Sequence, residues 1–491
     1  MTDYLNTQDI QVVVLMGGLG TRLKEYTKEC PKPLVDVGGR PFFDYSLRLL
    51  MHHGFRKFLF LIGYRAEMIE EYYGDGSRLG ISITYCYDGK ELLGTGGAVR
   101  RAYDLLEDDF LLMYGDSFMD IDYEETVYRY FEGKQRGMKA LMTVLKNGDR
   151  FDRSNVIMNG REIELYDKKD IKPEMDYIDY GVCMYEKELF TDEYLRDIPD
   201  IPVSAVDDTA SGETDTGKKD HAKGSDNGPA ADACPHMADI RFDIALIQKQ
   251  LSLDRKITAH IVTKRFYEIG SPESLNEFRE YVKHRFNESH PAVFIDRDGV
   301  LNEIVFNDDT EQMDSPQKLS EFRPFPEAAE ALRHIKEKGY YVFLATNQPG
   351  AAKGKSSLKT MYDINTLFAE QLSDKGVDID GIFMCPHYPR MSEYTREKFL
   401  IRNCDCRKPK PGLILKPKDI YNIDYDNSYM IGDSFTDIVA GQAAGVKTVY
   451  IGELKCDACK KLCDIDPDHI VHNVSEAAEI IPDRNQTAVA G

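Results

Sequence analysis

Short, apolar runs alternate with stretches of helical periodicity along most of this 491-residue chain. Strands that are apolar on both faces are typical of parallel sheets covered by helices. Stretches such as Pro41–His53 and Ala328–Lys338 have the spacing of such helices. The pattern predicts α/β domains with mainly parallel sheets. The expected strands are Val12–Met16, Phe58–Tyr64, Ile81–Tyr87, Phe110–Tyr114, Ala292–Ile295, Tyr341–Ala345, Ile382–Met384, Ser428–Ile431 and Thr448–Ile451.

Two interruptions of this pattern indicate how the chain is divided. Residues 203–237 contain no Leu, Ile, Phe or Tyr and are dense in Asp, Gly, Ser, Thr and Ala, which predicts a disordered insert. Apolar patterning resumes at Ile240, so the insert lies within the first domain. We expect a first domain over 1–285, a linker over 286–290, a second domain over 291–485 and a tail over 486–491.

Charge and composition narrow the classes of partner. A net charge of −22 and a pI near 5 argue against binding to nucleic acid or to an anionic membrane. No apolar run reaches the roughly 18–20 residues of a membrane span. The polar N-terminus lacks the features of a secretion signal. We therefore expect a cytoplasmic protein without nucleic-acid or membrane partners, and we leave a homo-oligomer open.

A glycine-rich turn follows the first expected strand. Such a turn lets backbone N–H groups approach phosphates, although turns of this kind are as often purely structural. Arg22 adds a forked cation, and Lys32 is held between two prolines in a stiff segment. The candidate phosphate-binding residues are Gly17, Gly18, Gly20, Thr21, Arg22 and Lys32.

The stretch GGLGTRLKEYTKECPKPLVDVGGRP closely resembles the signature of the sugar nucleotidyltransferases. The resemblance implies a Rossmann-like fold that binds a nucleoside triphosphate and Mg²⁺, with Arg22 and Lys32 on the triphosphate. It implies that Asp116, at a strand end, is a metal ligand. Glu268 stands where the family has a second metal-binding aspartate, and glutamate can also ligate Mg²⁺. It places a loop near the base and ribose at Gly94, Gly96 and Gly97.

The same resemblance places Lys168 and Gly181 at the sugar phosphate. For Lys168 the alternative is a solvated charge run over Asp167–Asp170. The implied reaction is an in-line attack of a sugar 1-phosphate oxygen on the α-phosphorus, with pyrophosphate leaving.

In the second half, the strand Ala292–Ile295 ends in Asp296 and Asp298, spaced by one residue. With three later pieces this resembles the haloacid dehalogenase signature, which implies a second Rossmann-like domain. In it, Asp296 would be the nucleophile and Asp298 the general acid and base. The later pieces are Thr346-Asn347, Lys408 and Asp433. The resemblance implies that Thr346 and Lys408 bind the phosphoryl oxygens, that Asn347 contacts substrate, and that Mg²⁺ is held by Asp296, Asp298 and Asp433.

Between these pieces lie two closely spaced pairs of metal-ligand residues. A Cys₃His set with a 16-residue loop between the pairs is typical of structural zinc, and a redox-active or merely buried cysteine group is the alternative. We therefore expect a zinc-stapled loop in the second domain. The four candidate ligands are Cys385, His387, Cys404 and Cys406. For the later Cys456, Cys459 and Cys463 we favour a lysine-rich surface segment over a second metal site.

The zinc motif and its neighbours resemble the heptose bisphosphate phosphatases, in which the residue at Arg407 contributes to substrate recognition. Ser434 departs from the lysine that is common there, which affects the substrate and not the reaction. The first domain is most similar to heptose 1-phosphate guanylyltransferases. The combined hypothesis is a bifunctional enzyme that removes the 7-phosphate of D-glycero-D-manno-heptose 1,7-bisphosphate and transfers GMP from GTP to the 1-phosphate.

Two alternatives remain at this point. The same two reactions could act on another sugar phosphate, with UTP, CTP, ATP or dTTP as the donor. Alternatively, one domain could be degenerate and regulatory, for which Glu268 is the only hint in the sequence.

Overall fold

The computed structural model describes residues 6–18, 20–23, 26–89, 92–202, 239–307, 311–395, 397–453 and 466–485. The chain forms two compact units, Asn6–Phe278 and Arg279–Gly491. The expected insert at 203–237, the expected tail at 486–491 and the cysteines at 456, 459 and 463 lie outside the described residues. Among the described residues, no helix is long and apolar enough to cross a membrane.

The first unit alternates strands and helices, and its last helix runs a few residues past Phe278. Its strands are β1 (Gln11–Leu15), β2 (Asp36–Val37), β3 (Arg40–Pro41), β4 (Lys57–Ile62), β5 (Ser82–Tyr87), β6 (Asp109–Tyr114), β7 (Ser117–Phe118), β8 (Ala140–Lys146), β9 (Val156–Asn159), β10 (Glu162–Tyr166), β11 (Tyr177–Glu186), β12 (Ile257–Val262) and β13 (Tyr267–Glu268). Its α-helices are α1 (Phe42–His52), α2 (Ala66–Tyr73), α3 (Gly94–Arg101), α4 (Tyr123–Gln135), α5 (Asp192–Arg196), α6 (Ala245–Leu253) and α7 (Pro272–Val282).

The main sheet of this unit has the strand order β10-β9-β11-β6-β1-β4-β5, with β8 on β11 and β12 on β8. Strands β6, β1, β4 and β5 are parallel neighbours, whereas β11 runs antiparallel to β6, β8 and β9. The sheet is therefore mixed, with a parallel half that the apolar runs predicted and a half built around β11 that they did not indicate.

The register of the parallel strands brings together the loops that follow different strands. Leu15 at the end of β1 lies beside Tyr114 at the end of β6 and beside Leu61 in β4. The chain leaves these strands at the same edge of the sheet. The turn after β1 and the Asp116 loop after β6 therefore meet at the carboxyl edge, where ligands bind in open α/β sheets.

The second unit has a six-stranded parallel sheet in the order β18-β17-β14-β19-β20-β21 within its described residues. Central β14 lies between β17 and β19, so the segments that follow these three strands meet at one edge. The strands are β14 (Ala292–Ile295), β15 (Val305–Asn307), β16 (Gln312–Asp314), β17 (Tyr341–Asn347), β18 (Gly381–Cys385), β19 (Tyr429–Gly432), β20 (Lys447–Ile451) and β21 (His469–Val471). The α-helices are α8 (Ala328–Glu337), α9 (Leu358–Ser373), α10 (Gly412–Leu415), α11 (Phe435–Ala444) and α12 (Val474–Ile480).

Candidate active sites

A pocket of about 240 Å³ opens at the carboxyl edge of the first sheet. It brings together predicted residues that are far apart in the sequence. The predicted residues among its lining are Gly17, Gly18, Lys32, Gly94 and Asp116.

Lys32 and Asp116 form an ion pair within this pocket, with 2.7 Å between the lysine Nζ and a carboxylate oxygen. Lys32 begins a short 3-10 helix that follows Pro31, and Pro33 is buried, so the lysine projects from a fixed backbone. The pair places one cation beside the carboxylate that the sequence predicted as a metal ligand. A phosphate entering here would meet the ammonium group directly.

Glu268 lies beside Asp116 because β13 pairs with β7 and the N–H of Ile269 donates to the Asp116 carbonyl at 3.1 Å. Burial, and then the charge of Asp116, raise the pKa of the Glu268 carboxyl. Arg22 approaches Glu268 at 3.4 Å, although the arginine side chain is 74% exposed. Two carboxylates this close together suit a divalent cation. The residues present therefore fit Mg²⁺.

Gly96 and Gly97 support the pocket and do not line it. Their N–H groups donate to the Phe242 carbonyl at 3.1 and 3.3 Å, so they are not available to a nucleotide. A Cβ at Gly96 would lie 2.2 Å from the Phe242 ring, and one at Gly97 would lie 2.3 Å from the Ile240 carbonyl oxygen. Glycine is required at both positions because α3 packs directly on this segment. Gly94 remains at the pocket wall.

Gly20 also has a structural reason to be glycine. It has a φ of +61°, and a Cβ there would lie 2.9 Å from the Thr27 side chain. Thr27 in turn donates its hydroxyl to the Gly20 carbonyl at 3.0 Å. The turn is thus closed by its own contacts. The side chain of Thr21 lies outside the described part of the chain.

Lys168 reaches the pocket edge through Asp243, which lies 3.4 Å from its Nζ. Asp243 also accepts a hydrogen bond of 3.0 Å from the hydroxyl of Thr95, a pocket-lining residue. The neighbouring Asp167 is buried and ion-paired with Lys249 at 2.5 Å. Asp167 therefore fixes the start of the run at 167–170, and the exposed Lys168 is held near the pocket by its pair with Asp243.

Gly181, in β11, lies behind the pocket wall. Its φ is +94°, and a Cβ would lie 3.4 Å from the ring of Tyr114, which lines the pocket. Its N–H donates to the Asp179 carboxylate at 3.0 Å. Gly181 therefore shapes the wall through Tyr114.

In the second unit, Asp296 and Asp433 meet as the two strand ends predict, and Asp437 joins them. Ligand atoms of these three aspartates lie within 4.8 Å of one another. Lys408, which is 2% exposed, reaches Asp296 at 3.1 Å and Asp437 at 2.5 Å. The sequence assigned no role to Asp437, although it stands four residues after Asp433 at the start of α11.

The raised pKa values of Asp296 and Asp433 reflect the excess of negative charge in this cluster. Burial raises the pKa of Asp296 to about 6, with Lys408 opposing and Asp437 reinforcing the shift. Burial and the charges of Asp296 and Asp437 raise the pKa of Asp433 to about 7. Three carboxylates with one ammonium group leave a charge that a divalent cation would balance. These residues also fit Mg²⁺.

The Asp298 side chain lies outside this group of three. Both of its oxygens accept hydrogen bonds from the buried Arg297, at 3.0 and 3.1 Å, and one also accepts from Gln348 at 2.6 Å. Arg297 is itself fixed by a 2.6 Å bond to Asn365. Although burial raises the pKa of Asp298, the charge and hydrogen bonds of Arg297 hold it below its usual value. Arg297 and Gln348 are positioning residues that the sequence did not reveal.

Thr346 and Asn347, at the end of β17, have different surroundings. The Thr346 hydroxyl accepts a 2.9 Å hydrogen bond from Gln348. Asn347 exchanges two hydrogen bonds of 3.1 Å with the backbone of Lys408. The Asn347 side chain thus fixes the segment that carries Lys408, which is a reason for asparagine that does not involve substrate.

The four predicted zinc ligands lie together. The Cys406 sulfur is 3.2 Å from that of Cys385, 3.3 Å from that of Cys404 and 3.3 Å from His387 Nδ1. The Cys385 sulfur is 3.6 Å from Cys404 and 3.7 Å from His387. Nearly equal separations of this size are those of the corners of a tetrahedron with metal–ligand bonds of about 2.0–2.3 Å. The set fits a tetrahedral metal ion.

Arg407 follows this group and lies over the ring of Tyr388, at 5.2 Å from the ring centroid. Lys353 lies at 4.8 Å from the same centroid. Burial, followed by the charge of Lys355, lowers the pKa of Lys353. Two cations thus share one aromatic ring, and only Arg407 was predicted from the sequence.

Comparison with known proteins finds a protein family for each half of the chain. The nucleotidyl transferase family matches residues 11–201, and the HAD-hydrolase-like family matches residues 405–477. The D-glycero-beta-D-manno-heptose-1,7-bisphosphate 7-phosphatase of Vibrio cholerae serotype O1 is 39% identical over 162 residues, which are 32% of this chain and 78% of the relative. The same enzyme from Escherichia coli K12 is 38% identical over 160 residues, 33% of this chain and 78% of the relative.

The C-terminal unit belongs to this heptose bisphosphate 7-phosphatase family. The N-terminal unit is a nucleotidyl transferase domain, so one chain combines a transferase with a haloacid dehalogenase-type phosphatase.

Solved structures resemble each half at lower similarity. HddC from Yersinia pseudotuberculosis is 20% identical, with a TM-score of 0.38 over 56% of this chain and 100% of its own. A D,D-heptose 1,7-bisphosphate phosphatase from B. bronchiseptica, complexed with magnesium and phosphate, is 27% identical, with a TM-score of 0.31 over 38% of this chain and 96% of its own. The assignment of the phosphatase domain rests on the sequence relatives.

Proposed function

We propose that the phosphatase domain removes the 7-phosphate of D-glycero-D-manno-heptose 1,7-bisphosphate. The transferase domain then transfers GMP from GTP to the resulting heptose 1-phosphate. The observation that carries the first step is the 36–39% identity to heptose bisphosphate phosphatases across 78–80% of their length. The second step follows from the fused nucleotidyl transferase domain, whose substrate is the product of the first step.

In the phosphatase step, the Asp296 carboxylate attacks the phosphorus of the 7-phosphate. Asp298 protonates the departing 7-oxygen as the P–O bond breaks, and later takes a proton from the water that hydrolyses the aspartyl-phosphate. The negative charge of an incoming phosphate counters the positive charge of Arg297. The pKa of Asp298 therefore rises, which allows its carboxyl group to hold the proton that it donates. Mg²⁺ held by Asp296, Asp433 and Asp437 would neutralise the facing anions.

A bisphosphate has a second phosphate that must be bound away from the reacting one. Lys353 and Arg407 are the cations that share the Tyr388 ring, and both are partly buried. We assign the distal phosphate to this pair because partly desolvated cations bind phosphate strongly. Thr346 and Lys408 would contact the phosphate under attack.

In the transferase step, an oxygen of the sugar 1-phosphate attacks the α-phosphorus of GTP, and pyrophosphate leaves. Lys32 and Arg22 offset the charge that develops on the phosphates, and no protein nucleophile is needed. Mg²⁺ held by Asp116 and Glu268 would offset negative charge on the phosphates. Lys168, with Asp243 beside it, would contact the acceptor.

We propose that the Cys₃His set binds a structural zinc ion. Its four protein ligands leave no open position, as in structural and not catalytic sites. Zinc there would fix the loop that begins after β18 and carries Arg407 and Lys408 at its end. The metal would therefore act on catalysis by holding these two side chains.

The phosphatase assignment can be tested by ³¹P nuclear magnetic resonance with heptose 1,7-bisphosphate and Mg²⁺. We expect the 7-phosphate resonance to disappear while the 1-phosphate resonance persists. Asp296→Asn, which keeps the shape of the side chain without its nucleophilic charge, should abolish the change. Loss of the 1-phosphate first, or no reaction, would contradict the assignment. Adding each nucleoside triphosphate to the product would then identify the donor by pyrophosphate release.

A further inference from the structure

Two histidines and a glutamate converge just before β14, in and beside the segment that the sequence predicted as a linker. Ligand atoms of His284, Glu288 and His290 all lie within 4.8 Å of one another. All three residues belong to the second unit, and none of them belongs to the Cys₃His set or to the aspartate cluster. Imidazole nitrogens and a carboxylate oxygen are ligands that zinc and related ions take in proteins. This His₂Glu group is therefore a candidate for a further metal site.

The distances between the ligand atoms suit a single ion placed among them. One carboxylate oxygen of Glu288 lies 3.6 Å from His290 Nε2 and 3.9 Å from His284 Nδ1. Both separations are too long for hydrogen bonds, so the carboxylate approaches both rings without bonding to either. Ligands on a tetrahedral ion with bonds of about 2.0–2.2 Å stand roughly 3.3–3.6 Å apart. The longer separation therefore has to close only slightly, which an exposed side chain can do.

The backbone at both histidines is fixed, so their rings are brought together before any ion binds. The His284 carbonyl accepts a 2.9 Å hydrogen bond from the hydroxyl of Tyr341 in β17. The His290 N–H donates to the Asn422 carbonyl at 3.1 Å, and the His290 carbonyl accepts from the Asp424 N–H at 2.9 Å. Ligands that are held in place in this way lose little conformational freedom on binding.

The His290 nitrogen that faces the glutamate is shielded from water. Nε2 has no hydrogen-bond partner among the residues that the structure describes. A buried polar atom without a partner is unfavourable, and a bound ion would remove that cost. The other oxygen of Glu288 faces Lys283 at 3.6 Å in an exposed pair, which contributes little. The first oxygen of Glu288 therefore remains available to an ion between the two imidazoles.

We propose that His284, Glu288 and His290 bind a divalent transition metal ion of the zinc class. This inference goes beyond the two proposed reactions, since neither of them uses this group. Imidazole ligands suit Zn²⁺, Ni²⁺ and Cu²⁺, whereas Mg²⁺ takes oxygen ligands. The ion would join the turn that follows α7 to the residue that leads into β14, the strand that ends at Asp296.

The ion in this site exchanges with solvent, unlike one enclosed by four protein ligands. Three protein ligands leave a coordination position open to water. The side chains of His284 and Glu288 are also 57% and 45% exposed. The site is therefore to be detected by titration and not by the metal content of the purified protein.

The test is a calorimetric titration of the full-length protein with Zn²⁺ in excess Mg²⁺, which occupies the carboxylate sites. The protein is first passed over a chelating resin that removes exchangeable ions. The wild-type protein should bind one more Zn²⁺ per chain than His290→Gln does. His284→Gln and Glu288→Gln should lose the same ion, and their melting temperatures before zinc is added should match the wild type because both positions are exposed. Residues that only support a metal ligand contribute about 10- to 100-fold to affinity, so loss of a ligand should weaken the site by at least about 10-fold.

His472→Gln is the matched control. His472 also pairs with a glutamate on the surface, Glu476 at 2.9 Å, but within the described residues it has no third ligand beside it. This variant should bind Zn²⁺ as the wild type does. Titrations of the wild type and His290→Gln that coincide would overturn the proposal. An equal loss in His472→Gln would overturn it as well, because it would indicate zinc binding to surface histidines in general. The titration requires neither sugar nor nucleotide, so its result is independent of the proposed two-step function.

Discussion

Replacing Lys408 with methionine should destabilise the phosphatase domain by about 3–5 kcal/mol at neutral pH, because it leaves buried carboxylates without their cation. The ammonium group lies 3.1 Å from Asp296 and 2.5 Å from Asp437, and its side chain is 1% exposed. At an effective dielectric constant of about 20, each pair contributes on the order of 5–7 kcal/mol before desolvation. Desolvation of the lysine cancels much of this sum, which gives the smaller net figure.

The destabilisation should depend on pH in a defined direction. Asp296 holds its proton more tightly in the folded chain, with a pKa of about 6 against 3.8 for the free group. Loss of the lysine raises that pKa further, so the added penalty is larger at pH 8 and fades as the pH falls to 5.5 and the carboxyl takes up a proton. Differential scanning calorimetry of the full chain without Mg²⁺ at both pH values would measure the loss.

Lys410→Met is the matched control, since Lys410 pairs at 3.0 Å with Asp405 on the surface, with side chains 53% and 95% exposed. Exposed pairs contribute at most about 1 kcal/mol, so its transition should move little. A Lys408→Met transition that moves no more than the control, or moves equally at pH 5.5 and 8, would show that Lys408 does not stabilise the domain through the buried carboxylates.

Three further predictions follow from the two sites. Mg²⁺ activation of the phosphatase should require more metal at pH 5.5 than at pH 8. The reason is that protons compete with the metal for Asp296 and Asp433, whose pKa values are about 6 and 7. Activation curves that coincide at the two pH values would argue against the aspartate cluster as the metal site. Gly97→Ala should destabilise the transferase domain by about 1–3 kcal/mol, because the new Cβ would lie 2.3 Å from the Ile240 carbonyl oxygen. Gly18→Ala is the control, since a Cβ there meets nothing within 4 Å. Thermal melts that do not separate the two variants would contradict this packing. Cys404→Ser should lower the zinc content from about one ion per chain, as measured by elemental analysis. It should also lower the melting temperature of the phosphatase domain, as measured by calorimetry. An unchanged zinc content would exclude the Cys₃His site.

The sequence revealed those parts of each site that depend on strand order alone. Asp296 and Asp433 each follow a short apolar run, and parallel strands bring their carboxyl ends to one edge. The pairs Cys385/His387 and Cys404/Cys406 likewise indicated a metal site, because closely spaced ligand pairs are a local feature. These predictions required only the elements and their direction.

Contacts that depend on side-chain packing were beyond the sequence. Gly96 and Gly97 belong to a nucleotide motif, yet their N–H groups bond to Phe242, more than a hundred residues later. The charge of Lys408 is balanced by both Asp296 and Asp437, and the sequence indicated neither pairing. Strands β9 and β10 were missed because neither has a uniform apolar run and both are partly exposed.

We propose that one chain carries out both steps in sequence. The direct test supplies heptose 1,7-bisphosphate, GTP and Mg²⁺ and follows GDP-heptose by mass spectrometry. The wild-type protein should form it, whereas Asp296→Asn and Asp116→Asn alone should not. The Asp116→Asn protein should accumulate heptose 1-phosphate, and a mixture of the two variants should restore GDP-heptose. GDP-heptose from either variant alone, or none from the wild-type protein, would contradict the account.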